Sequence, residues 1–347
     1  MSHWKKVARL REKAGTQEAL AEKLGRLLRR GPHTLADLST TVDQGIGQIQ
    51  AALEILRKRG FNVRLSREGG TRTAEMPRSL PVGGSTRIQP KLYTGRRYRF
   101  GVVSDNHLGS KYARLDVLNA LYDLFANEGA KDVFHCGNWV DGQSKFNQFD
   151  LLPGCESVEG QLAYFVKNYP RRKGVTTHFI AGDDHEGWWT QKVGMDVGRM
   201  AQERAEAAGR EDLKYLAYLE ADVRLAASRG ETWLRLMHPG GGSVYAVSYV
   251  PQKIVESFQG GEKPAILLIG HHHKLYAEIH REVWCIGAGC TQDQTPFMRK
   301  KKIEAQVGGA LCEIEQARDG HVAALTVRLQ RFYDRGFYEH KEKYARW

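Results

Sequence analysis

A chain of 347 residues, 41% hydrophobic and 27% charged, with no apolar run near the ~20 residues of a bilayer span, excludes a membrane protein and has room for two globular domains. Its five cysteines (Cys136, Cys155, Cys285, Cys290, Cys312) are odd in number and lack Cys-x-x-Cys spacing, and Met1-Ser2-His3-Trp4-Lys5-Lys6 runs into further charge. A disulfide framework, a zinc ribbon and a secretory signal are thereby excluded, and a cytoplasmic location is expected. The net charge of +12 lies wholly in residues 1–98, which hold 20 Lys/Arg against 8 Asp/Glu, an asymmetry that points to a module meeting a polyanion, most often nucleic acid, with a solvated basic face as the alternative.

In residues 17–30, Leu20, Leu24, Leu27 and Leu28 fall at helical spacing until Gly31-Pro32 stops the helix. Thr34 caps a short second helix, and Ile46, Ile49, Leu53, Ile55 and Leu56 mark a third that ends in Arg57-Lys58-Arg59-Gly60. Phe61 to Leu65 alternates as a strand, Glu68-Gly69-Gly70 turns, and Thr71-Arg72-Thr73 returns. Three helices followed by a hairpin resemble a winged helix-turn-helix over residues 1–73. In that fold the third helix enters the DNA major groove while the hairpin touches backbone. Gln44, Gln48 and Gln50 then face bases, with Arg57, Lys58, Arg59, Arg64, Arg67 and Arg72 as the further nucleic-acid contacts. Winged helices also serve as protein-docking modules. Residues 74–97, with Pro77, Pro81, Gly83-Gly84-Ser85 and Pro90, read as an irregular linker.

From residue 98 to 330, apolar runs alternate with amphipathic helices, the pattern of an α/β layered domain. Five runs read as buried strands: Phe100–Ser104, Val133–Cys136, Thr177–Ala181, Leu234–Met237 and Ala265–Ile269. Each leads directly into ligand-type residues: Asp105-Asn106-His107, Gly137-Asn138-Trp139-Val140-Asp141, Gly182-Asp183-Asp184-His185-Glu186, His238-Pro239-Gly240-Gly241-Gly242, and Gly270-His271-His272-His273. A single histidine after a strand is most often structural, but five such segments in succession point to one site at the strand ends. Gly240–Gly242 could cradle a phosphate or make a tight turn, and Trp188-Trp189 could stack on a base or pack in a core. Residues 331–347 form a basic and aromatic tail.

The ordered motifs D-x-H, G-N-x-x-D, G-D-D-H-E, H and G-H-x-H resemble those of the calcineurin-like metallophosphoesterases over residues 98–295. Within that family they look most like phage and prokaryotic DNA-repair-type phosphoesterases, and more distantly like the nuclease subunit of double-strand-break repair complexes. The resemblance implies a calcineurin-like layered β-sandwich flanked by helices. It places Asp105, His107 and His273 on one metal and Asp184, His238 and His271 on another. Asn138 falls at the bridging position, where the family has aspartate, and Asp184 stands where the family usually has asparagine, so the number of carboxylates is preserved. His185 is implied as the catalytic residue beside the scissile phosphate, with Asp141 supporting the shell from behind; Asp183 is a further candidate ligand.

Imidazole with carboxylate suits two ions of Mn²⁺ foremost, or Fe²⁺ or Zn²⁺. The expected function is a metal-dependent phosphodiesterase, a DNA nuclease or DNA-processing enzyme, with DNA as partner, no membrane and a homodimer as the candidate assembly. Phosphomonoesterase, cyclic-nucleotide phosphodiesterase and a DNA-binding scaffold with a degenerate site are the competing readings.

Overall fold

The computed structural model describes residues 3–333, except 60, 62, 69, 77–82, 93–94, 144–146, 148, 243–245 and 260, with no account of side chains 3–15. It divides into two compact units, residues 1–80 with 189–200, and residues 81–188 with 201–347. The tail from 334 onward lies outside the described residues. Among the described residues no helix is long and apolar enough to cross a membrane.

In the first unit α1 (His3–Leu28), β1 (His33–Thr34), α2 (Leu35–Val42) and α3 (Ile46–Lys58) precede β2 (Arg64–Glu68) and β3 (Thr71–Glu75). The strands form an antiparallel sheet in the order β1-β3-β2. Thr34 starts α2 because its hydroxyl accepts the Asp37 N–H at 3.0 Å, and Asp43 ends it in a left-handed turn at φ 53°. Leu24, Leu28, Leu38, Ile49, Leu53 and Leu56 then share one buried core.

The second unit begins earlier than the sequence pattern indicates. Ser85–Ile88, inside the stretch read as an irregular linker, is strand β4 and pairs in parallel with a later strand at Asp222–Leu225. Four residues between glycines and prolines carry too little periodicity to be recognised, and only the partner strand makes them one. The remaining elements are β5 (Arg97–Val103), α4 (Leu115–Asn127), β6 (Asp132–His135), α5 (Val158–Asn168), β7 (Thr176–Ala181), α6 (Gly187–Val193) and α7 (Val197–Ala207). After them come β8 (Leu213–Tyr218), β9 (Glu220–Ala226), β10 (Glu231–Met237), α8 (Tyr249–Ser257), β11 (Ile266–Ile269), β12 (Leu275–His280), β13 (Val283–Ala288), α9 (Pro296–Lys301), β14 (Gly308–Gln316) and β15 (Val322–Arg331). The segment 189–200 belongs to the first unit, so the sequence boundary at residue 98 does not separate two continuous domains.

Two six-stranded mixed sheets result, β12-β13-β11-β10-β9-β4 and β15-β14-β5-β6-β7-β8. Their facing sides supply one core, with Phe100, Phe134 and Ile180 from the second sheet and Val223, Leu234, Leu268 and Ile286 from the first. β9 and β10 alternate between buried and half-buried residues, whereas β6 and β11 are buried throughout. α8 packs Val255 on the outer face of one sheet, and α4 lies on β5 and β14 of the other. β5, β6 and β7 run parallel, as do β10 and β11, which fixes where their C-terminal ends emerge.

Gly101 marks the tightest contact of α4 with its sheet, since a β-carbon there would sit 2.5 Å from Phe125 Cδ2. Gly101→Ala is expected to destabilise the protein by ~1–3 kcal/mol. Urea unfolding should show this as a lower midpoint with unchanged slope.

Candidate metal centre

Five strand ends supply the centre: Asp105 and His107 follow β5, Asn138 and Asp141 follow β6, Asp184, His185 and Glu186 follow β7, His238 follows β10, and His271 and His273 follow β11. Strands from both sheets contribute, so the site requires the sandwich to be closed. The backbone at these positions is unusual. Half of the ten described non-glycine residues with positive φ are Asp105 (51°), His107 (48°), Asn138 (55°), His271 (75°) and His273 (54°). Side chains rarely adopt this conformation, and its concentration here is stored strain. The glycines leave room for close approach: a β-carbon on Gly137 would meet His238 Nδ1 at 2.5 Å, and one on Gly182 would overlap Asn138 Oδ1.

Asp105, His107 and His273 offer ligand atoms within 4.8 Å of one another, and so do Asp184, His238 and His271. In the first group His107 Nε2 faces His273 Nε2 at 3.3 Å, while Asp105 Oδ1 lies 3.4 Å from His273 Nε2 and 3.8 Å from His107 Nε2. Two imidazole nitrogens and a carboxylate oxygen pointing at one spot, with almost no solvent exposure, fit a cation. In the second group hydrogen bonds to main-chain carbonyls select the tautomers. His238 Nδ1–H donates to Cys136 O at 2.6 Å and His271 Nε2–H donates to Gly241 O at 2.8 Å. The opposite nitrogens, His238 Nε2 and His271 Nδ1, are buried without a hydrogen-bond partner, as is Asn138 Oδ1. Orphaned buried acceptors of this kind are costly unless something electropositive meets them, and they are the correct atoms to bind a metal. Asp184 is the exposed member, with 58% of its side chain accessible.

Burial works to raise the Asp105 carboxyl, but His273, His238 and His107 hold it well below the ordinary carboxylate range. Burial pulls His238 and His107 down to about 4, so their nitrogens carry free lone pairs near neutral pH. His273 is pushed up to about 10, against burial, by Cys290 and Asp105.

His185 lies apart from both groups in function. Its Nδ1–H donates to Asp141 O at 2.7 Å, its ring meets the His107 ring at 4.2 Å, and it retains partial exposure. Asp141 also stands 3.2 Å from His107 Nδ1 and accepts from Asn147 Nδ2 at 2.9 Å, so a single residue orients both rings. His107, Asp141 and His185 can also gather around one point. Gly241, within the triple glycine, contributes a carbonyl that orients His271. Trp189 is buried and so packs rather than stacking on an incoming base.

Glu186 is visible in the sequence only as the residue after His185. Its Oε1 accepts the N–H groups of Asn138 at 2.8 Å and Gly182 at 2.7 Å, tying the loops after β6 and β7 together. Burial pushes its carboxyl up to about 7 while those N–H groups pull it down. A buried network also links Asn106, His135 and Thr291. His135 Nδ1 accepts from Gly137 N at 3.1 Å, so its Nε2–H donates to Asn106 Oδ1 at 2.6 Å. Asn106 Nδ2 donates in turn to Thr291 Oγ1 at 3.0 Å. No spacing in the sequence announces these partners.

Residues 98–305 match the calcineurin-like phosphoesterase superfamily domain. The chain belongs to this superfamily. Among solved structures, it is similar to a novel archaeal phosphodiesterase, at 12% identity and TM-score 0.33, covering 67% of this chain and 99% of that one. It is also similar to a conserved uncharacterized protein of Streptococcus pneumoniae, at 14% and 0.33, covering 68% and 100%. A third is Vps29 of Entamoeba histolytica complexed with zinc, at 13% and 0.32, covering 68% and 99%. Likenesses this distant carry nothing about substrate or metal. No curated protein matches the chain.

The residues marked for nucleic acid lie in the first unit. Lys58, Arg64, Arg67 and Arg72 are exposed, and Gln44 is half-buried. Three others are engaged within the unit. Gln48 Oε1 accepts Gly45 N at 3.1 Å and so caps α3; Arg57 Nε donates to Val63 O at 2.9 Å; Arg59 pairs with Glu18. Intramolecular hydrogen bonds at helix ends compete for these side chains, which a sequence reading of exposed polarity overlooks.

Glu186→Ala would orphan two buried N–H groups at ~1–3 kcal/mol each, whereas Glu186→Gln keeps the accepting oxygen. Urea unfolding is expected to show a large loss for Ala and a small one for Gln. Equal losses would show that the oxygen is not the anchor.

Proposed function

We propose that the chain is a divalent-metal-dependent phosphodiesterase acting on DNA, a nuclease, which holds two cations. The observation that carries this reading is the pair of three-residue clusters beside Asn138, with three buried acceptor atoms lacking a partner. Asp105, His107 and His273 would hold one ion and Asp184, His238 and His271 the other, with Asn138 Oδ1 between them. Mn²⁺ is the first candidate and Fe²⁺ or Zn²⁺ the alternatives, given the mixed imidazole and carboxylate donors. Such ions, when bound, clamp a phosphate and lower the pKa of a coordinated water toward ~7.

The chain's own groups do the rest. Asp141 O fixes His185 through Nδ1, which leaves Nε2 as the nitrogen that gains and loses a proton. Protonated there, His185 stabilises charge on the leaving oxygen or donates the proton to it. The carbonyls of Cys136 and Gly241 hold His238 and His271 in the ligating tautomer.

DNA as substrate is supported by the first unit. Its order of helix, strand, helix, helix and hairpin is the one expected of a winged helix-turn-helix, and its residues 1–80 hold 16 Lys/Arg against 8 Asp/Glu. Arg67 and Arg72 are paired directly across the hairpin, where like charges repel. A phosphate between them would offset that repulsion.

His185→Ala is expected to lower turnover of a chromogenic phosphodiester by ~10²–10⁴-fold with bound metal unchanged by mass spectrometry. Loss of metal would make His185 a ligand. Reversing the hairpin with Arg64→Glu, Arg67→Glu and Arg72→Glu is expected to weaken duplex binding and flatten its salt dependence by about 0.9 in log–log slope for each phosphate no longer neutralised. Hydrolysis of the chromogenic diester should be unaffected; unaltered duplex affinity would instead assign the unit to a protein partner.

A further inference from the structure

Beyond residue 98 the chain is formally neutral, yet it contains four consecutive cations, Arg299-Lys300-Lys301-Lys302. They occupy the end of α9 and the residue that caps it, and all four are exposed. Among the described residues no carboxylate pairs with them. The neighbouring acid, Glu304, is taken by Lys274 at 3.0 Å and Arg331 at 3.1 Å. A helix C-terminus favours a cation within its last turn, but four adjacent cations also repel one another.

The run is joined to the metal centre by a short, well-bonded segment. Thr291 N donates to Asp105 O at 3.2 Å, Asp293 N donates to Tyr112 O at 2.9 Å, and Thr295 caps α9. From Tyr112 the same surface continues to Phe149. Lys111 N donates to Asp150 O at 2.7 Å, Lys111 Nζ donates to Phe149 O at 2.6 Å, and Leu152 N donates to Gly109 O at 2.7 Å. Through its own backbone and that of Lys111, Tyr112 is thus bonded both to the segment that leads into α9 and to the Phe149 turn. Asn147, two residues before Phe149, donates to Asp141 Oδ2 at 2.9 Å, beside His107 and His185.

Phe149 is 87% exposed, the most open of the large apolar side chains described. Its backbone is pinned while its ring is left in water. An exposed aromatic ring, bonded through Lys111, Tyr112 and Asp293 to the segment that carries a row of cations without acidic partners, suits a single strand: bases stack on the ring and phosphates meet the charges, whereas a duplex hides its base faces. We propose that Phe149, Tyr112 and the Arg299–Lys302 run form a track that leads a single-stranded nucleic acid into the metal centre. This rests on the phosphodiesterase reading and deepens it by naming the strand state of the substrate.

The full-length protein is assayed with Mn²⁺ on a labelled single-stranded oligonucleotide and on bis(p-nitrophenyl) phosphate, which spans too little to use the track. Phe149→Ala is expected to raise KM for the oligonucleotide ~10-fold, through removal of one base stack, and Phe149→Trp to restore it. The combined Arg299→Ala, Lys300→Ala, Lys301→Ala and Lys302→Ala variant is expected to raise KM and to flatten its salt dependence by about 0.7 in log–log slope for every phosphate the run neutralises. Neither change should alter hydrolysis of the small diester. Photo-cross-linking with a 5-iodouracil oligonucleotide, which needs no turnover, is expected to label Phe149 or Tyr112. Unchanged KM with cross-links confined to residues 1–80 overturns the track and leaves the phosphodiesterase reading intact. Cross-links at Phe149 in a protein that hydrolyses neither substrate support the track and overturn the enzymatic reading.

Discussion

The Asp105 carboxylate, fully withdrawn from solvent, is reached by groups from both sheets. Its Oδ2 accepts from Ser104 Oγ at 2.6 Å and from the main-chain N–H of His271 at 2.8 Å, and its Oδ1 accepts from Asn138 Nδ2 at 3.2 Å. The loops after β5, β6 and β11 are thereby tied to one charge. A buried carboxylate is costly unless its lone pairs are occupied by donors and cations, and here three donors and a ring of imidazoles meet that requirement. The positions of His107, His271 and His273 follow from it.

Holding so many polar groups at the end of a sandwich strains the chain. Left-handed backbone at five ligand-type residues is tolerated because the strands leading to them are anchored in a continuous apolar core between the sheets. Glu186 adds a second tie, bracing the loops after β6 and β7, and the Asn106–His135 pair a third. The ligand-type residues thus sit on loops just beyond the strand ends, held in place by these ties, an arrangement that places metal donors accurately.

Charge divides the molecule in a complementary way. The first unit carries most of the net positive charge, since residues 1–80 hold 16 Lys/Arg against 8 Asp/Glu, whereas the second unit presents four consecutive exposed cations at Arg299–Lys302. A broad cationic unit favours encounter with a polyanion, while a short cationic ridge with an aromatic ring favours alignment of one strand.

The sequence by itself determined the layered α/β class, the five buried strands and the ligand-type residues at their ends, because apolar runs that end in Asp, Asn and His are local patterns with a strong period. It also located the charge excess and the helical spacing of Leu20, Leu24 and Leu28. It could not determine that Ser85–Ile88 is a strand, since four residues between glycines and prolines become one only by pairing with Asp222–Leu225. Nor could it identify Glu186 as the tie between two loops, or Gln48, Arg57 and Arg59 as side chains already committed within their own unit. Which nitrogen of His238 and His271 is free was decided by carbonyls at Cys136 and Gly241, 102 and 30 residues away along the chain. Hydrogen bonds between distant segments leave no periodic trace, so only the closed tertiary structure fixes them.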